Sequence, residues 1–138
     1  MKRSFSTLFV FSLLLLLFGS VQSFAQEPGQ AMISIYNVAP GKHLDFLKWM
    51  AQQESIDKEA GLPPTQWYAH QDGAAWDFIA IGPVTTPEQD KKVEEVAKQK
   101  GRPTGFKAAL QFRTFVSSHT DTVARGPSSA SDLVKAGE

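Results

Sequence analysis

The first residues able to do chemistry flank an Asp-Gly pair. Asp72-Gly73 separates two aromatic, alternating runs at residues 65–71 and 75–81, and Asp-Gly in that setting signals a two-residue β-hairpin turn. Such a turn sets Gln71 opposite Ala74, His70 opposite Ala75, Ala69 opposite Trp76, Tyr68 opposite Asp77 and Trp67 opposite Phe78. Side chains alternate between faces along a strand. Trp67, Ala69, Trp76 and Phe78 then share one face, and Tyr68, His70, Asp77 and Ile79 share the other. On the second face, a histidine beside a carboxylate can serve as a general base, and a tyrosine hydroxyl can donate to a developing oxyanion. Tyr68, His70 and Asp77 are therefore the catalytic candidates; mutual hydrogen bonding on a half-wet strand is their plainer use.

A second pair, His119 and Asp121, lies at i and i+2 on one side of a short alternating run, where it can orient a ligand or make strand-end contacts. Trp67 and Trp76 read first as core and second as the wall of a ligand pocket, since aromatic rings serve both purposes. The three histidines, His43, His70 and His119, form no His-x-His or His-x-x-x-His pair, so no metal is expected. His70 or His119 could ligate a haem, but nothing in the pattern selects either, and no cofactor is expected. The chain has no Gly-x-Gly-x-x-Gly, Walker loop, Gly-x-Ser-x-Gly or His-Glu-x-x-His motif.

The elements that must position these residues follow from periodicity. Residues 32–36 are strand formers and lead into the turn pair Pro40-Gly41. From Lys42 the period becomes helical, with Leu44, Leu47 and Ala51 on one stripe and Phe46, Trp49 and Met50 widening it. Gly61 and Pro63-Pro64 end that helix. After the hairpin and Gly82-Pro83, Thr86-Pro87-Glu88-Gln89 reads as a capped helix start, with Pro87 at the first helical position. Its apolar face, Val93, Val96 and Ala97, is thin, and its charge run is a solvated surface with i,i+4 pairs. Gly101 to Gly105 interrupts the chain, residues 106–116 form a second helical piece, and residues 119–125 a short last strand.

The chain has 138 residues, with 14 Lys+Arg against 14 Asp+Glu and no cysteine. Balanced charge argues against a nucleic-acid partner. The absence of cysteine excludes a disulfide scaffold, a thiol nucleophile and a lipidated N-terminal cysteine. Lys2 and Arg3, an apolar run over residues 8–18, and Ser23-Phe24-Ala25 have the three-part layout of a secretory signal peptide. A membrane span needs about 20 apolar residues, and this run is shorter. Cleavage is expected after Ala25, with Ser23 the competing position, leaving no stable membrane anchor and placing the protein in the periplasm or outside the cell. The expected organisation is a signal peptide at 1–25, a flexible leader at 26–30, one α+β domain at 31–126 and a polar tail at 127–138.

The order strand, helix, strand, strand, helix, strand is the split β-α-β arrangement of ferredoxin-like domains. It predicts a four-stranded antiparallel sheet with helices on one face. The layout resembles the dimeric α/β-barrel superfamily through Tyr36-Asn37-Val38-Ala39-Pro40-Gly41-Lys42, the hairpin around Asp72-Gly73, and His119-Thr120-Asp121-Thr122-Val123. That superfamily includes cofactor-independent monooxygenases, haem-degrading proteins and stress-response barrels. The resemblance implies a homodimer in which two sheets close a barrel. It carries no catalytic residue across, because fold does not specify function. The expected function is an exported small-molecule-binding barrel; a cofactor-independent monooxygenase or isomerase acting on a small organic substrate is the alternative, and a non-catalytic structural or interaction protein the third reading. Mass spectrometry of the exported protein should find Gln26 at its N-terminus; full-length chain retained in the membrane would overturn the signal-peptide reading.

Overall fold

The computed structural model describes residues 29–73 and 75–138. The expected signal peptide and leader residues 26–28 lie outside them. The described elements are β1 (Gly29–Val38), α1 (His43–Ala60), β2 (Gln66–Ala69), β3 (Phe78–Pro83), α2 (Pro87–Gln99), α3 (Gly105–Arg113), β4 (Val116–Gly126) and α4 (Ala130–Gly137). The strands form one antiparallel sheet in the order β2-β3-β1-β4, the expected ferredoxin-like arrangement. Among the described residues no helix is long and apolar enough to cross a membrane.

The ends of the elements depart from the sequence expectation where backbone pairing outweighs local composition. Gly29 and Gln30, expected in a loose leader, pair with Gly126 and Arg125 at the far end of β4, whose other end starts at Val116, a residue expected in the second helical piece. The expected polar tail contains α4, started by a capping box in which Ser129 and Asp132 satisfy each other's backbone N–H groups. The same device starts α2, through Thr86 and Gln89. Helix α1 stops at Gly61, whose φ of 87° is left-handed and suits a residue without a Cβ.

The hairpin register differs from the expectation by two residues. Trp67 faces Ala80, Tyr68 faces Ile79 and Ala69 faces Phe78, and the His70 N–H bonds to the Asp77 carbonyl at 3.0 Å. The connection is therefore longer than two residues, and Trp76 lies within it rather than in β3. A shift of two preserves alternation, so Trp67, Ala69 and Phe78 still share a face. Trp76 leaves that face and packs on His70, with ring centroids 5.1 Å apart.

The face bearing Trp67 and Phe78 holds the core. Phe46 of α1 is fully buried among Tyr36, Val38 and Ala80, with Met50, Trp67, Phe78 and Phe112 packed around them. A second cluster joins α1 to α2 through Ile56, Ala60, Val96 and Ala97, so the thin face expected of α2 is the one it buries. The buried stripe of α1 is Phe46, Ile56 and Ala60, whereas Leu44 and Leu47, expected to point inward, are 63% and 38% exposed. The opposite face of the sheet carries two cross-strand rows: Tyr68, Ile79, Ile35 and Thr120, then Gln66, Ile81, Ile33 and Thr122.

Candidate functional site

A cavity of about 210 Å³ lies between the sheet and the helices. Its sheet side is formed by Met32, Ser34 and Tyr36 of β1, Trp67 of β2, and Ala80 and Gly82 of β3. Alternation along paired strands sets these residues on one face, Ser34 opposite Ala80 and Met32 opposite Gly82. Its helix side is Met50, Gln53, Glu54 and Asp57 of α1, with Asp90 and Val93 of α2. Phe46, Met50, Glu54 and Asp57 fall on one helical stripe, so packing Phe46 into the core aims the next three turns at this space. A neighbouring cavity of about 380 Å³ shares Glu54, Asp57, Leu62 and Thr65.

The polar groups of the cavity are organised. The Trp67 indole N–H donates to Glu54 Oε1 at 2.7 Å, tying β2 to α1 and orienting the carboxylate. Burial, and then the charge of Glu54, pushes the Asp57 carboxyl above its ordinary range. Burial likewise raises the Tyr36 hydroxyl, against a hydrogen bond from Ser34 that lowers it, with Asp121 adding in the upward direction.

The structure separates the three catalytic candidates. Tyr68 is 52% exposed and sits in a row on the outer face, opposite Ile79 rather than Asp77. His70 stands opposite Asp77 through the backbone, but its buried Nε2 has no hydrogen-bond partner among the described residues and its ring lies on Trp76. The Asp77 side chain turns elsewhere. Its Oδ2 accepts the Val38 N–H at 2.6 Å, and its Oδ1 lies 3.1 Å from His43 Nε2. The β1 chain end supplies a main-chain donor that no strand partner uses, and the carboxylate fills it. The Val38 N–H and, next among the favourable contacts, the His43 imidazole hold the Asp77 carboxyl below the usual range. This group is a surface latch between β1, β3 and the start of α1.

His119 and Asp121 come together, Nε2 to Oδ2 at 3.3 Å. Register places them across from Tyr36 and Ser34, and the His119 ring stacks on Tyr36 and meets the edge of Phe112, with centroids 6.4 and 4.9 Å away. They flank the cavity without lining it. Of the two tryptophans expected to bind ligand, Trp67 lines the cavity and Trp76 does not. The sequence reading passed over Glu54, Asp57 and Ser34. The available signal was that Glu54 and Asp57 continue the helical stripe of Phe46 and Met50.

No protein-family model matches the chain, and no curated protein does. Solved structures do. SnoaB from Streptomyces nogalater, described as a cofactor-independent oxygenase, matches with a TM-score of 0.51 at 11% identity, over 73% of this chain and 95% of that one. An Arabidopsis thaliana protein matches at 0.50 and 9% identity, over 74% and 99%. A dimeric ferredoxin-like protein of unknown function from Thermobifida fusca gives 0.45 at 14% identity, over 73% and 93%. Identities this low speak for the fold alone: this is a ferredoxin-like α+β chain.

The latch makes stability depend on pH. A carboxyl whose folded pKa is lowered contributes stability that is present above its unfolded value, about 4, and lost as pH falls through the folded value. Asp77→Ala should lower the unfolding free energy at pH 7 by about 1.5–3 kcal/mol, the range for a hydrogen bond to a charged group. Denaturant titrations of both proteins at pH 7 and pH 3 should show the difference shrinking at the lower pH; an undiminished difference would mean that packing, not charge, carries the effect.

Proposed function

We propose that this protein, after export, binds a small organic molecule in the cavity between its sheet and α1. The observation that supports this reading is the cavity wall itself. Tyr36, Trp67, Met32 and Met50 offer aromatic and thioether surface, and Ser34, Gln53 and Glu54 offer a few polar groups among them. Ligand sites characteristically combine an apolar wall with a few convergent polar groups, and methionine adapts its shape to an aromatic guest. The oxygenase or isomerase reading stands second. SnoaB supports it through the shared fold, but the Asp77 carboxylate bonds to Val38 and His43, Tyr68 stands in a row on the outer face, and no histidine lines the cavity among the described residues.

The chain has three methionines, Met1, Met32 and Met50. A protein beginning at Gln26 keeps only the two that line the cavity. Methyl-labelled methionine spectra of that protein should therefore contain two signals, and a fragment library of small aromatics should shift both. Fragments that shift neither signal would overturn the ligand-binding reading.

The outer sheet face supports a homodimer. Ile33, Ile35, Ile79 and Ile81 form its centre, while α1, α2 and α3 pack on the other side. A second copy covering this face would remove those four side chains from water. Light scattering should give twice the chain mass, and Ile35→Lys should halve it while leaving the circular dichroism spectrum unchanged. A wild-type monomer across the micromolar range would overturn the dimer.

A further inference from the structure

The charges around the cavity are one-sided. Glu54, Asp57 and Asp90 line it, and no lysine, arginine or histidine does among the described residues. Acids on a helix are ordinarily just a solvated surface, and these differ in three respects. Glu54 is half-buried and fixed by the Trp67 indole at 2.7 Å. Asp57, one turn along the same stripe, is half-buried and held at a cost, since burial and the Glu54 charge both disfavour its ionised form. The wall facing them is aromatic: the Trp67 ring stacks on Tyr36 with centroids 5.8 Å apart, and beside them lies Ser34, 8% exposed and hydrogen-bonded to the Tyr36 hydroxyl.

We propose that the cavity selects organic cations, taking an apolar or aromatic body bearing an ammonium group. The inference rests on the small-molecule reading above and names the class of ligand. The ammonium sits between Glu54 and Asp57, relieving their mutual repulsion. The body lies against Met32, Met50 and the Trp67 ring. A cation beside an indole face is attracted by the ring quadrupole, more so where water is excluded. An anionic guest meets three carboxylates and no compensating base. Lys58 lines the neighbouring cavity, which shares Glu54 and Asp57, but it does not line the first.

Three probes of similar size and different charge separate the possibilities: phenethylammonium, 2-phenylethanol and 3-phenylpropionate, each titrated into the protein beginning at Gln26 while the Met32 and Met50 methyl signals are followed. Phenethylammonium should bind about tenfold more tightly than the alcohol, and the carboxylate most weakly. Glu54→Gln keeps an oxygen to accept the Trp67 N–H and removes the charge; it should weaken phenethylammonium about tenfold and the alcohol much less, shrinking the cation preference. Asp57→Asn provides the same test at the second carboxylate should Glu54→Gln fail to fold. If the alcohol binds as tightly as the ammonium, or if both variants retain the cation preference, the charge inference falls while the cavity remains a ligand site. If none of the probes moves either methyl signal, that reading falls with it.

Discussion

The ring of Tyr36 is the contact on which the inner side of the sheet depends. It touches a residue from nearly every element of that layer: Phe46 of α1 at 5.1 Å, Trp67 of β2 at 5.8 Å, Phe112 of α3 at 6.2 Å and His119 of β4 at 6.4 Å. Such tilted, stacked and edge-on pairs add to the burial of the rings themselves. Because Tyr36 sits on a central strand, it fixes α1 above the sheet, and α1 in turn carries α2 through Ile56 and Ala60. The cavity is the space left where this packing opens beyond Tyr36 toward Met32.

Much of this arrangement could be read in the sequence. The Gly61 stop, the Thr86 cap and the sequence of strands and helices are local features, decided by backbone conformation and orphan N–H groups within a few residues. The faces of the hairpin were legible too, because alternation has period two and survives a register shift of two. The register itself was not. At the turn end of the hairpin, Asp77 is held by β1 and not by the turn: its backbone N–H reaches the Tyr36 carbonyl and its carboxylate the Val38 N–H. Those partners are some forty residues upstream in the chain, beyond any turn signal.

The candidate site was legible only in part. Trp67 stood out by residue type, and His119 with Asp121 by spacing. Glu54 and Asp57 look, as letters, like the other acids of α1. What distinguishes them is the angle at which α1 sits, and that angle follows from Phe46 entering the core in place of Leu44 and Leu47. Leucine is as hydrophobic as phenylalanine on this helix, and the choice between the two stripes belongs to the aromatic partners waiting on the sheet.

How freely the cavity can change over evolutionary time depends on which residues of α1 line it. On α1, the residues that anchor the helix (Phe46, Ile56 and Ala60) and those that line the cavity (Met50, Gln53, Glu54 and Asp57) are different residues interleaved along one helix. The anchoring set meets sheet and helix side chains directly, so its volumes are constrained by close packing. Of the lining set, Met50 also packs against the core and Glu54 holds the Trp67 indole, whereas Gln53 and Asp57 border open space. A substitution at Gln53 or Asp57 therefore alters the cavity wall while leaving the anchoring residues of α1 in place. That division suits a fold whose relatives in shape share so little sequence.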